Sequence, residues 1–105
     1  MVKDIKEAIT EHDKEVIVGD IMRKLNNIRK YITDQAHPVT VFLILQKEVP
    51  KDINELHDAR LKKILLATHS KWISKILIDE SRKDYDSMRK HMDECCDEML
   101  LEFLL

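Results

Sequence analysis

PVTVFLILQKEVPKDINELHDARLKKILLATHSKWISKIL, residues Pro38 to Leu77, holds both prolines, the single tryptophan and the densest apolar run of the chain. Its opening, Val39 to Leu45, is rich in β-branched residues, and composition alone would suit a strand. A lone strand needs a partner, and no other segment offers one, so consistency with the rest of the chain makes this run a buried helix. Pro38 fits the first turn of that helix, where its missing N–H would be unpaired anyway. Pro50 is expected to end or break it, and Asp52 to cap a short turn holding Ile53 and Leu56.

Asp58 is placed as the N-cap of a long helix reaching about Ile78. At 100° per residue Leu61, Leu65, Thr68, Trp72 and Ile76 share a narrow arc, which Leu66, Ile73 and Leu77 widen. Such a helix must touch neighbours on two sides, as the central pillar of a bundle does. Arg60, Lys63, Lys71 and Lys75 fall on the opposite face.

Outward from this stretch the pattern stays helical. Val2, Ile5, Ile9 and His12 predict a short amphipathic helix near 3–12. Ile17, Ile21, Leu25, Ile28 and Ile32 predict a second near 14–32, in which Gly19 costs about 1 kcal/mol relative to alanine and is read as a point of close packing. Thr33 to His37 is a polar connector. Ser81 reads as the start of a last helix, near 81–104. Tyr85, Met88, Met92, Cys95, Cys96, Met99 and Phe103 line one of its faces, and Asp86, Asp93, Glu94, Asp97 and Glu98 the other. Its apolar stripe, chiefly Tyr85, Met88, Met92, Met99 and Phe103, is a candidate self-association face.

The fold expected is therefore all-α, one domain over residues 1–105, arranged as a compact bundle of about five helices. One glycine and two prolines leave little turn chemistry for a β fold, while 36% charged residues suit amphipathic helices. The net charge of -2 conceals a basic middle and an acidic end. Residues 36–75 carry seven basic and four acidic groups, and residues 76–105 four basic and nine acidic. A basic middle and an acidic end attract separate partners or, the simpler outcome, each other.

Several chemistries lack their residues. His12, His37, His57, His69 and His91 are scattered, with no paired ligand spacing for zinc. His91 and Cys95 lie one helical turn apart, yet a thiol on an apolar stripe packs as a small hydrophobe. His69, near the core arc, reads as a hydrogen-bonded structural histidine. The paired carboxylates sit on solvated faces without a pocket to raise a pKa. A chain with one glycine has no phosphate-cradling loop. The basic helix face lacks interleaved aromatics, so nucleic acid is not the expected partner. Adjacent Cys95 and Cys96 make no disulfide framework, which suits a reducing, intracellular setting. The longest uncharged run, His37 to Gln46, falls short of a membrane span. No enzyme, cofactor or metal is expected.

PVTVFLIL, followed by VPKDINEL and ILLATHSKWISKIL, resembles the TFIIS N-terminal (LW) domain family, shared by elongin A and the integrase-binding domain of LEDGF, over residues 17–78. Val39-Thr40 with Leu43 and Leu45 match the family's helix entry, Ile53-Asn54-Glu55-Leu56 its connector, and Leu65, Trp72 and Ile76-Leu77 its last helix. The stripe Ile21, Leu25 and Ile28 supplies the preceding helix, and the segment from Ser81 onward is additional. The resemblance implies that Trp72 is buried against the helix starting at Pro38, with Asn54 in the connector between them. It implies a module that holds short acidic-hydrophobic motifs of disordered partners in nuclear transcription and elongation complexes. Arg60, Lys63, Lys71 and Lys75 would be its charged contacts, with Lys47 and Lys51 at the connector, while Trp72 and Thr40 hold the fold. The alternative is a small adaptor, viral or bacterial, that dimerises through the last helix.

Overall fold

The computed structural model describes residues 16–104, which contain four helices and no strand. The all-α expectation holds, with four helices rather than about five; the helix predicted near 3–12 lies outside the described residues. Helix α1 spans Val18–Thr33. Helix α2 is one continuous rod in three parts, Pro38–Leu43, a π-helical turn over Ile44–Glu48, and Val49–Asn54. Helix α3 spans Ala59–Ser81 and α4 spans Tyr85–Glu102. Connections of three or four residues force successive helices to run antiparallel, giving an up-down-up-down bundle. Helix α4 packs on both α3 and α1, and α2 closes the other side.

The α1 stripe is buried as its spacing predicts: Ile17, Ile21, Leu25 and Ile28 are all in the core, with Ile32 at its edge. Gly19 is not a point of close packing, because a Cβ built there meets nothing within 4 Å. Its φ is not positive either, so glycine brings only backbone entropy to the unfolded chain. Gly19→Ala is therefore expected to raise stability by about 1 kcal/mol, read as an upward shift of the urea midpoint at unchanged slope. A neutral or destabilising result would place an unseen neighbour at that position.

The turn after α1 is a Schellman motif in which Gln35, not glycine, takes the left-handed position at φ 65°. Its N–H donates to the Ile32 carbonyl, and that of Ala36 to Tyr31. Lys83, at φ 55°, plays the same part after α3: its N–H donates to Glu80, and Asp84 donates to Asp79. These two turns explain a misplaced boundary. Ser81 does not begin the last helix; it is the final residue of α3, which runs past Ile78. Asp84 both closes the α3 motif and caps α4, its carboxylate accepting from the Ser87 N–H and hydroxyl.

Pro50 does not end α2. A proline removes an N–H and pushes its ring at the carbonyl four residues back, which an α-helix relieves by kinking or widening. Here the preceding turn widens to π, with the Val49 N–H donating to the Ile44 carbonyl. The wider turn also settles a register conflict. Val41, Leu45, Val49 and Ile53 recur every four residues and are each at most 2% exposed. In a regular α-helix such a row drifts around the axis by about 40° per step; the π turn, with its extra residue, offsets that drift. Asp52 caps nothing: it sits inside α2, and its carboxylate pairs with Lys24 of α1 at 2.8 Å. His37 and Asp58 do cap, at α2 and α3 respectively, Asp58 accepting from the Arg60 and Leu61 N–H groups at 3.1 Å each.

Candidate interaction surface

The flank where α3 meets α4 is built around Trp72. The indole is only 8% exposed, and its N–H donates to the Glu98 carboxylate of α4. Lys71 bonds that same carboxylate at 3.1 Å, and the Lys71 and Lys75 ammonium groups stand 5.2 and 4.6 Å from the Trp72 ring centre. The indole N–H, ahead of the two lysines, holds the Glu98 carboxyl below its ordinary range. The basic middle and acidic end of the chain do attract each other here. Trp72 thus has its polar contacts on α4, and Asn54 is the last residue of α2, its amide donating back to the Pro50 carbonyl.

This geometry divides the expected cationic set. Lys71 and Lys75 are engaged with α4 and Trp72. Arg60, three turns before Lys71, lies on that same side of α3. Lys63 points outward, and Lys47 and Lys51 are exposed on α2. Among the described residues none of Arg60, Lys63, Lys47 and Lys51 forms an ion pair. Thr40 is exposed and is not one of the core residues.

The expected self-association stripe is internal. Met88, Met92, Cys95, Cys96 and Met99 are fully buried in the chain's own core, with Tyr85 and Phe103 at its rim. The acidic face beside it is not freely solvated: Arg29 of α1 reaches Asp93 at 3.1 Å and Asp97 at 3.6 Å. What α4 exposes instead is Leu101 and, just beyond its end, Leu104.

The reactive side chains are held in structural contacts. His91 bonds the buried Asp79 carboxylate through Nδ1 and leans on Trp72. The Cys95 thiol points to the Met99 sulfur, and burial, then the nearby Glu98, pushes its pKa up to about 12. Burial raises Cys96 as well. His69 Nε2 donates to the Leu45 carbonyl at 2.8 Å. In a π turn that carbonyl would next look to the N–H of residue 50, which is proline and has none. The imidazole supplies the missing donor and braces α3 against the π turn of α2.

His69 therefore marks the side of α3 that faces α2. Lys62, Leu66 and Ile73 lie on that side at helical spacing, half-buried, and Leu77 follows one turn after Ile73, 43% exposed. On α2, Asp52 marks the flank toward α1, and Leu43, one turn after Val39, is 46% exposed. Val49–Asn54 packs on α3, whereas Pro38–Leu43 packs on α1 and α4. The large apolar side chains that these two helices leave exposed are Leu43 on α2 and Leu77 and Ile78 on α3. Lys47 and Lys51 follow Leu43 along α2, and Lys62 and Lys63 lie near the start of α3. Sequence periodicity assigns Leu77 to the core arc, and its exposure is what reassigns it. No family model, no curated protein and no solved structure matches the chain.

Proposed function

We propose that the chain is a protein-interaction module that binds short segments of partner proteins combining apolar and acidic side chains. One observation supports it above the others: the exposed Leu43 lies one and two turns from Lys47 and Lys51 on α2, and these cations, with Lys63 on α3, have no ion-pair partner among the described residues. Apolar anchors give such a complex its residence time, and the lysines steer and orient an acidic segment. Catalysis is the weaker reading, since His69, His91, Asp79 and Cys95 are each tied to a structural neighbour. The resemblance to the TFIIS N-terminal domain would put the partners in nuclear transcription complexes. The cationic contacts move with the geometry, from Lys71 and Lys75 to Lys47, Lys51 and Lys63.

The test is fluorescence anisotropy with a labelled peptide of alternating leucine and glutamate clusters. Reversing Lys47 and Lys63 together to glutamate should weaken binding by about tenfold or more, roughly 1.4 kcal/mol, and flatten its salt dependence. Helicity should be unchanged, as both side chains are exposed. Binding of equal strength and salt dependence in the variant would overturn the reading.

A further inference from the structure

We propose that α4 is an exchangeable element: two copies of the chain pair by swapping their α4 helices, each seating its partner's α4 where its own lies in the single chain. The proposal goes beyond the interaction-module reading and does not depend on it. It starts from the turn between α3 and α4, which is three residues long and holds neither glycine nor proline. Arg82 is still helical, so only Lys83 and Asp84 depart from a helix. Lys83 does so at φ 55°, a left-handed conformation in which its Cβ crowds the following carbonyl oxygen.

Turning those two residues helical removes that strain and strands no backbone group. In the turn the Lys83 N–H donates to Glu80 and the Asp84 N–H to Asp79. In a continuous helix the same two donors take the same two carbonyls in the opposite order. Neither of the other connections can open this way. The α1–α2 turn also has a left-handed residue, Gln35, but Pro38 follows it and has no N–H to carry a helix through. The α2–α3 connection is anchored in the core by Leu56, which is 4% exposed.

A helix running on from α3 into α4 cannot fold back on its own bundle, so its α4 half needs a second chain. The seat it leaves is made for it. Trp72 and Lys71 of α3 hold Glu98, Asp79 holds His91, and Arg29 of α1 reaches Asp93 at 3.1 Å. Met88, Met92, Cys95, Cys96 and Met99 fill the space beneath. None of these contacts depends on which chain supplies α4, so the exchange keeps the packing and alters only the hinge. The apolar stripe of α4, internal in the single chain, then becomes the contact between two.

The experiment unfolds the full chain in urea and refolds it at about millimolar concentration, the order of effective concentration that a short linker gives its own helix. Sedimentation after dilution should show a dimer. Lys83→Gly relieves the strain of the closed turn and weakens the continuous helix, so it should lower dimer affinity by about tenfold. Asp84→Ala removes a cap that only the closed turn needs, and should raise the affinity by about tenfold. Charge reversal identifies the element exchanged. Lys71→Glu and Glu98→Lys, one of them isotope-labelled, are refolded together; each lobe of the mixed pair regains a Lys–Glu contact between positions 71 and 98 only when α4 is swapped. Native mass spectrometry should therefore find the heterodimer in excess over both homodimers. A chain that stays monomeric even as Asp84→Ala overturns the proposal. So does a dimer that ignores the hinge variants, or one that mixes statistically, since either is association through an outer surface.

Discussion

Replacing Phe42 by alanine should cost about 3–5 kcal/mol of folding free energy, whereas the same change at Leu43 should stay within about 0.5 kcal/mol. The two are neighbours in the sequence and similar in hydrophobicity, but Phe42 is 1% exposed and Leu43 46%. Alanine at 42 removes an aromatic ring from among residues that cannot collapse far, so lost transfer energy and cavity cost add. A small domain holds only about 5–15 kcal/mol in total, which makes this loss a large share. The contrast also tests the helical reading of PVTVFLIL. A strand would set Val41, Leu43 and Leu45 on one face and Phe42 on the other; the helix buries 41, 42 and 45 and spares 43. Urea unfolding of both variants decides it. Comparable losses at 42 and 43 would contradict the structure.

The second large effect belongs to His69. His69→Leu keeps most of the volume but leaves the Leu45 carbonyl without a donor, a penalty of about 1–3 kcal/mol at neutral pH. The pH dependence is the sharper readout. Burial lowers the His69 pKa from its usual 6.5, outweighing the bond to Leu45, which raises it. Between 6.5 and the folded value the unfolded chain takes up a proton that the folded chain refuses. The stability owed to neutral His69 is complete above about pH 6.5 and drains away as the pH falls below it. Glu98 acts in a separate window: its lowered pKa contributes stability above 4.5 that is lost in stronger acid. The wild type should therefore lose stability from pH 6.5 downward faster than His69→Leu does, and the gap between them should narrow. Parallel curves over that range would remove the assigned role.

The parts of this fold that local chemistry writes are readable from the sequence, and the parts that neighbours write are not. Asp58 as an N-cap and Pro38 in a first turn are decided within three residues, and both are found as expected. Apolar stripes on α1, α3 and α4 follow from spacing alone. The end of α3 is different, because its left-handed residue is Lys83 and no glycine announces it. Pro50 looks like a stop, and only the packing of Val49 and Ile53 shows why the helix continues through a wider turn. The candidate surface is the least legible of all. Periodicity gives the face opposite the core, but it cannot say that α4 takes Lys71 and Lys75 or that Leu77 stays exposed.

The core-facing side of α4 carries three thioethers and two thiols, from Met88 to Met99. Such a seam is soft, since unbranched, polarisable side chains re-pack where branched ones would clash. It is also oxidisable: a sulfoxide placed at Met88, Met92 or Met99 would set a polar group in the driest part of the bundle. While the fold is closed the sulfurs are out of reach, so peroxide consumes them only during openings. The rate of that damage makes the seam a built-in clock for how often the bundle comes apart. An opening that ends in oxidation leaves a helix that no longer fits the space it left until the sulfoxide is reduced.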